Sequence, residues 1–283
     1  MKIRAMQTPS QIECGSYKLN YGKKTLVMGI LNVTPDSFSD GGKYNQVELA
    51  VKHAEELVEY GVDMIDVGGE STRPGAQVIS LEEELHRIIP IVSEVSKAVN
   101  VPISIDTYKA EVARRAIEAG ADIINDVWGA KADPLMAEVA AHYDAPIILM
   151  HNRENRNYQN LISDMIADLF ESISIAKAAG VKDEKIIIDP GIGFAKTFEH
   201  NLEVLNQLEK FTELGYPVLL GTSRKSFIGQ VLDLPPTERV EGTGATICLG
   251  IQKGCHMIRV HDGLEMVRMA RMMDAILNKG GDR

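Results

Sequence analysis

The chain has 283 residues, 45% of them hydrophobic and 25% charged, with a formal net charge of −10. That length suits one large domain or two small ones, and the composition is that of a folded globular protein rather than a disordered one. The acidic balance argues against a nucleic-acid binder, and no apolar run approaches a membrane span, so neither partner is expected. The three cysteines, Cys14, Cys248 and Cys255, form no C-x-x-C pair. With no signal-like apolar stretch at the start, a reducing, cytoplasmic setting is expected.

In chain order, residues Ile12 to Gly22 read as a turn-rich, hairpin-like lead-in over one end of the fold. Short apolar runs follow: Leu26–Ile30, Met64–Val67, Ile103–Ile105, Ile123–Ile124, Ile147–Met150, Ile186–Ile188, Val218–Leu220 and Met257–Val260. Each has the length and the Ile, Val, Leu or Met content of a strand buried on both faces. Helical patterns separate them. Val47, Val51, Ala54 and Val58 share one helical face, as do Leu161, Met165, Leu169 and Ile173. Ser80 with Glu83 reads as a capping box. Gly61, Gly120, Gly180 and Gly215 follow helical stretches, where helix-ending glycines belong. Eight such units predict an α/β fold, a single (β/α)8 TIM barrel over 25–283 behind a lead-in over 1–24. An open doubly wound sheet is the alternative, but the first run leads into Asn32-Val33-Thr34-Pro35 instead of a glycine-rich phosphate loop.

Polar residues follow most of the runs: Asn32; Glu70, Thr72 and Arg73; Asp106; Asn125 and Asp126; His151; Asp189; Ser223 to Ser226; and Arg259 with His261. In a barrel these ends converge on one mouth, where active sites lie. Taken singly, several have plain structural readings. Asp189-Pro190-Gly191 suits an ordinary turn, Asp106 suits a helix cap, and Met150 suits the core. His151 reads as structural, because nothing adjacent completes a ligand set. Lys225 at a helix start opposes the helix dipole, which favours a functional role. Shared position, rather than any one residue, carries the site. Gly191–Thr197 hints at a phosphate loop, but Ala195 stands where the glycine before Lys196-Thr197 is needed.

At these residues the sequence resembles the dihydropteroate synthase family from about Thr25 onward. The matching stretches are Met28–Gly42 (MGILNVTPDSFSDGG), Gly68–Gly75 (GGESTRPG), Ser104–Thr107, Asn125-Asp126, Asp189–Phe194, Ser223–Ser226 and Arg259–Asp262. Two departures are mild: Trp128 stands where many relatives have a small residue, and Ala195 replaces a frequent glycine. The resemblance implies a sulfonamide-targeted transferase of folate synthesis, usually a homodimer. Such an enzyme joins 4-aminobenzoate to 6-hydroxymethyl-7,8-dihydropterin diphosphate, releasing diphosphate. It places Asp106, Asn125, Met150, Asp189, Gly221 and Lys225 around the pterin, and Asn32, Thr72, Arg73, Arg259 and His261 at the diphosphate. Phe38, Pro74, Phe194 and Ser226 would line the 4-aminobenzoate pocket, with Asp40, Lys225 and Arg73 catalytic. The Val33–Gly42 and Ser71–Gln77 loops would close over the site.

Independent chemistry agrees with that placement. A pterin edge carries neighbouring donors that carboxylates and amides complement. Mg2+ accompanies a diphosphate and keeps several waters, so Asn32 is the one protein candidate for its ligand. No activated nucleophile is visible, so dissociative loss of diphosphate is expected, with the amine attacking a pterin-stabilised cation. A cobalamin-linked methyltransferase domain, the competing reading, should lack the Ser223–Ser226 run and the Asp40 loop. A non-catalytic pterin-binding subunit should have lost Asp40, Lys225 or Arg259.

Overall fold

The eight apolar runs become eight strands. A computed structural model of the chain describes residues 10–33, 43–70 and 79–279. The barrel strands are β3 (Leu26–Asn32), β4 (Met64–Gly68), β5 (Ile103–Asp106), β6 (Ile123–Asp126), β7 (Ile147–Met150), β8 (Ile186–Asp189), β9 (Leu219–Leu220) and β10 (Met257–Val260). They pair in parallel in the order β8-β7-β6-β5-β4-β3-β10-β9. The ring closes through a parallel bridge between Ile188 and Val218, with Ile188 N donating to Pro217 O at 2.9 Å. This is the (β/α)8 barrel that the alternating pattern predicts.

Helices surround it: α1 (Lys43–Tyr60), α2 (Leu81–Ala98), α3 (Ala110–Glu118), α4 (Met136–His142), α5 (Leu161–Ala178), α6 (Phe198–Asn206), α7 (Glu209–Thr212), α8 (Ser226–Leu232), α9 (Val240–Gln252) and α10 (Gly263–Ile276). Ser80 caps α2 by accepting from Glu83 N at 3.1 Å. Gly61, Gly120, Gly180 and Gly215 all have positive φ, as their helix-ending positions imply. Among the described residues no helix is long and apolar enough to cross a membrane.

Strand alternation splits the core into two layers. Val27, Leu31, Ile65, Val67, Ile105, Leu149, Ile188 and Ile258 belong to the outer cluster that packs against the helices. Leu26, Met28, Met64, Ile123, Ile148, Ile187, Leu219 and Met257 fill the lower interior. The lead-in is an antiparallel hairpin, β1 (Ile12–Cys14) with β2 (Tyr17–Leu19). Its Ile12, Cys14 and Leu19, followed by Tyr21, plug that lower end. Lys185 fastens the plug by donating to Glu13 O at 2.7 Å and Asp144 O at 2.9 Å.

His256 helps to hold the plugged end together. It precedes β10, accepts from Val218 N through Nδ1 at 3.1 Å and packs edge-on against Tyr21.

Because the plug and the strand C-termini lie at opposite ends, stability and binding separate. Ile12, only 1% exposed, is the probe. Ile12→Ala is expected to cost about 2–5 kcal/mol in urea unfolding while leaving ligand affinity at the other mouth unchanged.

Candidate active site

Above the apolar layer, the same alternation turns polar side chains inward. In β4, Met64 faces in, Ile65 out and Asp66 in; in β5, Ser104 and Asp106 face in. Cross-strand register puts Asn32 beside Gly68, Gly68 beside Asp106 and Asp106 beside Asn125. Across β7 and β8, Met150 is in register with Asp189. Arg259 reaches in from β10. Its Nε donates to Asp66 Oδ2 at 2.5 Å and its Nη2 to Asp106 Oδ2 at 2.7 Å. Asn125 Nδ2 adds a third contact, to Asp66 Oδ2 at 3.1 Å.

This layer keeps spare acceptors. Asp66 Oδ1 and Asp106 Oδ1 are buried with no hydrogen-bond partner among the described residues, as is Ser104 Oγ. Burial pushes the Asp106 carboxyl up to about 7, against the pull of Arg259. Asp189 is pushed by burial up to about 6, against the N–H of Gly191, which donates to its Oδ1 at 2.7 Å. Buried acceptors with raised proton affinity want donors, and a donor-rich ligand edge supplies them.

The turn after β8 completes one wall. Gly191 has φ of +67°, and a Cβ there would come within 2.0 Å of His151 O, so only glycine fits. The Phe194 ring lies 4.2 Å from Lys225 Nζ. Gly193 leaves room for the Lys225 stem, since a Cβ there would meet its Cδ at 3.1 Å. Gly221 follows β9 and faces Asp189, whose Oδ2 lies 3.7 Å from where a Cβ would stand. Lys225 is the N-cap of α8 and exposed Ser226 its first residue. His261 is tied to the end of β9, with Ser223 Oγ 3.1 Å from its backbone N and 2.9 Å from its Nδ1. Arg224 turns away to pair with Asp262, at 3.0 Å through Nε and 2.5 Å through Nη2.

The structure thus gathers Asn32, Asp106, Asn125, Met150, Asp189, Gly221, Lys225, Arg259, His261, Phe194 and Ser226 at the strand C-termini. Phe38, Asp40, Thr72, Arg73 and Pro74 lie outside the described residues. Two polar residues grouped with the mouth do other work. Asp126 points to the outer side, accepting from Trp128 N at 2.8 Å and Ala130 N at 2.6 Å. Glu70 accepts from Lys109 Nζ at 2.7 Å and Tyr108 Oη at 3.0 Å. Arg259, which the resemblance assigns to the diphosphate, spans two interior carboxylates.

Sequence reasoning missed Asp66, which sits inside an apolar run. Its signal is the period of two: Asp66 shares the interior parity of Met64 and Gly68. Lys196 was also missed. It is 4% exposed and bonds His151. No local pattern announces that contact, which spans two βα units.

The raised Asp189 pKa fixes the sign of a pH effect. A carboxyl at about 3.9 when unfolded and about 6 when folded contributes most to stability below both values. That contribution is lost as pH rises through about 6. In the unliganded protein, Asp189→Asn is therefore expected to match the parent near about pH 4 and to be more stable near about pH 7, on the order of 2 kcal/mol. Denaturation curves at the two pH values check this. A variant less stable at the higher pH would contradict burial as the dominant cause.

The fold and the site both point to known proteins. The family profile described as Pterin binding enzyme matches residues 28–261. The dihydropteroate synthase of Bacillus subtilis (strain 168) is 64% identical over 263 residues, covering 93% of this chain and 92% of that one. A dihydropteroate synthase of Clostridium difficile, solved in the presence of pteroic acid, superposes with a TM-score of 0.89. It is 51% identical, and the match covers 91% of this chain and 98% of that one. The Xanthomonas albilineans dihydropteroate synthase in complex with 7,8-dihydropteroate gives a TM-score of 0.87 at 38% identity, covering 94% of this chain and 98% of that one. With most of its length matched from the first barrel strand to the last, the chain belongs to the family of pterin binding enzymes.

Proposed function

We propose that the chain is a dihydropteroate synthase, a transferase of folate biosynthesis. It condenses 6-hydroxymethyl-7,8-dihydropterin diphosphate with 4-aminobenzoate, forming 7,8-dihydropteroate and diphosphate. The observation that carries this reading is the interior layer in which Asp106 Oδ1, Asp66 Oδ1 and Ser104 Oγ have no hydrogen-bond partner among the described residues, beside Asn125 and Asp189. The amino-pyrimidinone edge of a pterin offers matching donors. Asp106, Asn125 and Asp189 hold that edge, Met150 and Gly221 pack beside it, and Lys225 donates to the ring carbonyl.

The diphosphate falls to Asn32, Thr72, Arg73, Arg259 and His261. Arg259 pairs with Asp66 and Asp106 in the unliganded chain, so its role at the diphosphate requires it to share or exchange those partners. Mg2+ bound with the diphosphate would neutralise part of its charge. Asn32 is the protein ligand that fits: its amide oxygen is a hard donor at the end of β3.

Reaction follows from position and charge. Arg73 stabilises the negative charge that develops as diphosphate leaves, Asp40 stabilises the pterin-centred cation, and Lys225 steadies the ring through its carbonyl. The 4-aminobenzoate amine, already neutral near pH 7, attacks that cation from a pocket lined by Phe38, Pro74, Phe194 and Ser226.

The chain works in the cytoplasm as a homodimer. Met272 and Ile276, 61% and 59% exposed and one turn apart on α10, are apolar surface that a second copy would cover.

Two measurements test the reading. The purified protein is expected to release diphosphate only when both substrates are present, and failure to turn over would sink the assignment. Asp189→Asn is expected to weaken binding of the pterin diphosphate by about 100-fold in calorimetry, since it removes a charged hydrogen-bond acceptor. Near-normal affinity would count against Asp189 as the pterin anchor.

A further inference from the structure

The turn after β8 is organised by a buried lysine that the proposed chemistry does not use. Lys196 Nζ has three acceptors: Gly191 O at 2.8 Å, Phe194 O at 3.0 Å and His151 Nδ1 at 3.0 Å. An ammonium has three protons and no lone pair, so donors and acceptors match in number. Because Lys196 donates to Nδ1, the His151 proton sits on Nε2 and is donated to Asp168 Oδ2 at 3.0 Å. Asp168 also accepts from Arg153, through Nε at 2.5 Å and Nη2 at 3.2 Å. Burial holds His151 neutral, with its pKa down to about 4. An ordered chain therefore runs from Asp168 on α5, through His151 after β7, to the turn after β8.

Both carbonyls that Lys196 grips belong to the wall of the site. Gly191 is the residue whose N–H holds Asp189, and Phe194 carries the ring beneath Lys225. Neighbours pin the rest of the turn. Gly193 N donates to Asn201 Oδ1 at 2.6 Å, and Tyr158 Oη donates to Ala195 O at 3.0 Å. Ala195 has a left-handed φ of +49°. That conformation is strained for a non-glycine residue and needs outside support.

We propose that Lys196 is a positioning residue for the 4-aminobenzoate side of the site, fixing the Gly191–Phe194 turn and through it the Phe194 ring against Lys225. The proposal rests on the assignment of Phe194 to that pocket. Lys196 touches neither substrate in this scheme and acts through the carbonyls it holds. Its ammonium faces Asp189, Asp168, Lys225 and Arg153, besides neutral His151. Burial lowers its proton affinity to about 7. A neutral amine donates only two hydrogen bonds, so deprotonation releases one of the three acceptors.

Steady-state kinetics of the full-length enzyme with both substrates tests this. Lys196→Met is expected to raise KM for 4-aminobenzoate about tenfold, with kcat and the pterin diphosphate KM changed less than about threefold. In a Phe194→Ala background the same substitution is expected to raise that KM by less than about twofold, because its effect passes through the ring. An unchanged KM in Lys196→Met, a fall confined to kcat, or an equal rise in both backgrounds would overturn the proposal. If Lys196→Met does not fold, Asp168→Asn serves instead, at a partly exposed position on α5. It weakens the hold on His151 and is expected to raise the 4-aminobenzoate KM about threefold at constant kcat. No change there would overturn the proposal. Absence of turnover in the parent enzyme, or a normal KM in Phe194→Ala alone, would instead sink the pocket assignment.

Discussion

One guanidinium organises the upper half of this barrel. Arg259 lies between Asp66 and Asp106, with Asn125 joined to the same Asp66 oxygen. Two carboxylates this deep repel one another and lose hydration, and an arginine fork between them offsets both costs. Take the arginine away and Asp66 and Asp106 lose the donor and counter-charge they share. With it in place the layer still has unused acceptor atoms, and these make the interior receptive to a donor-bearing ring.

The barrel divides this labour along its axis. Near the hairpin, strand side chains are apolar and the plug of Ile12, Cys14, Leu19 and Tyr21 seals them. Near the strand C-termini the same parity carries Asp66, Ser104, Asp106, Asn125, Asp189 and Arg259. The outward positions are mostly Ile, Val and Leu, so the helices pack on apolar strand surface along most of the barrel. Stability and recognition therefore come from alternate ends of the same strands. A polar layer of this kind would be a liability in a core built only for stability.

Much of this was legible in the sequence. Eight short Ile- and Val-rich runs with intervening helical faces specify a barrel, since strands buried on both sides need no alternation to be seen. The site was legible because barrel geometry converts distant residues such as Asn32, Asp106, Asp189 and Lys225 into neighbours. Parity was the weak point. Asp126 directly follows Asn125 yet faces outward to hold Trp128 N and Ala130 N, while Asp66, hidden in an apolar run, faces in. Glu70 was drawn off by Lys109 and Tyr108, partners more than 35 residues away in sequence. The Lys196–His151–Asp168 chain depends on two βα units, β7–α5 and β8–α6, meeting in space, which local spacing cannot express. Gly191–Thr197, which resembles a phosphate loop but lacks its glycine at Ala195, is a turn gripped from beneath by its own lysine.

The central claim is that burial raises the proton affinity of Asp106 and Asp189 while the site is empty, and that a ring donating to them lowers it. The most direct test is calorimetric titration of a pterin lacking the diphosphate, near about pH 6, in two buffers of different ionisation enthalpy. The account predicts net proton release on binding, because ring donors favour the charged forms of Asp106 and Asp189, whose pKa values are about 7 and about 6 in the empty site. Proton uptake, or heats that do not depend on the buffer, would contradict it.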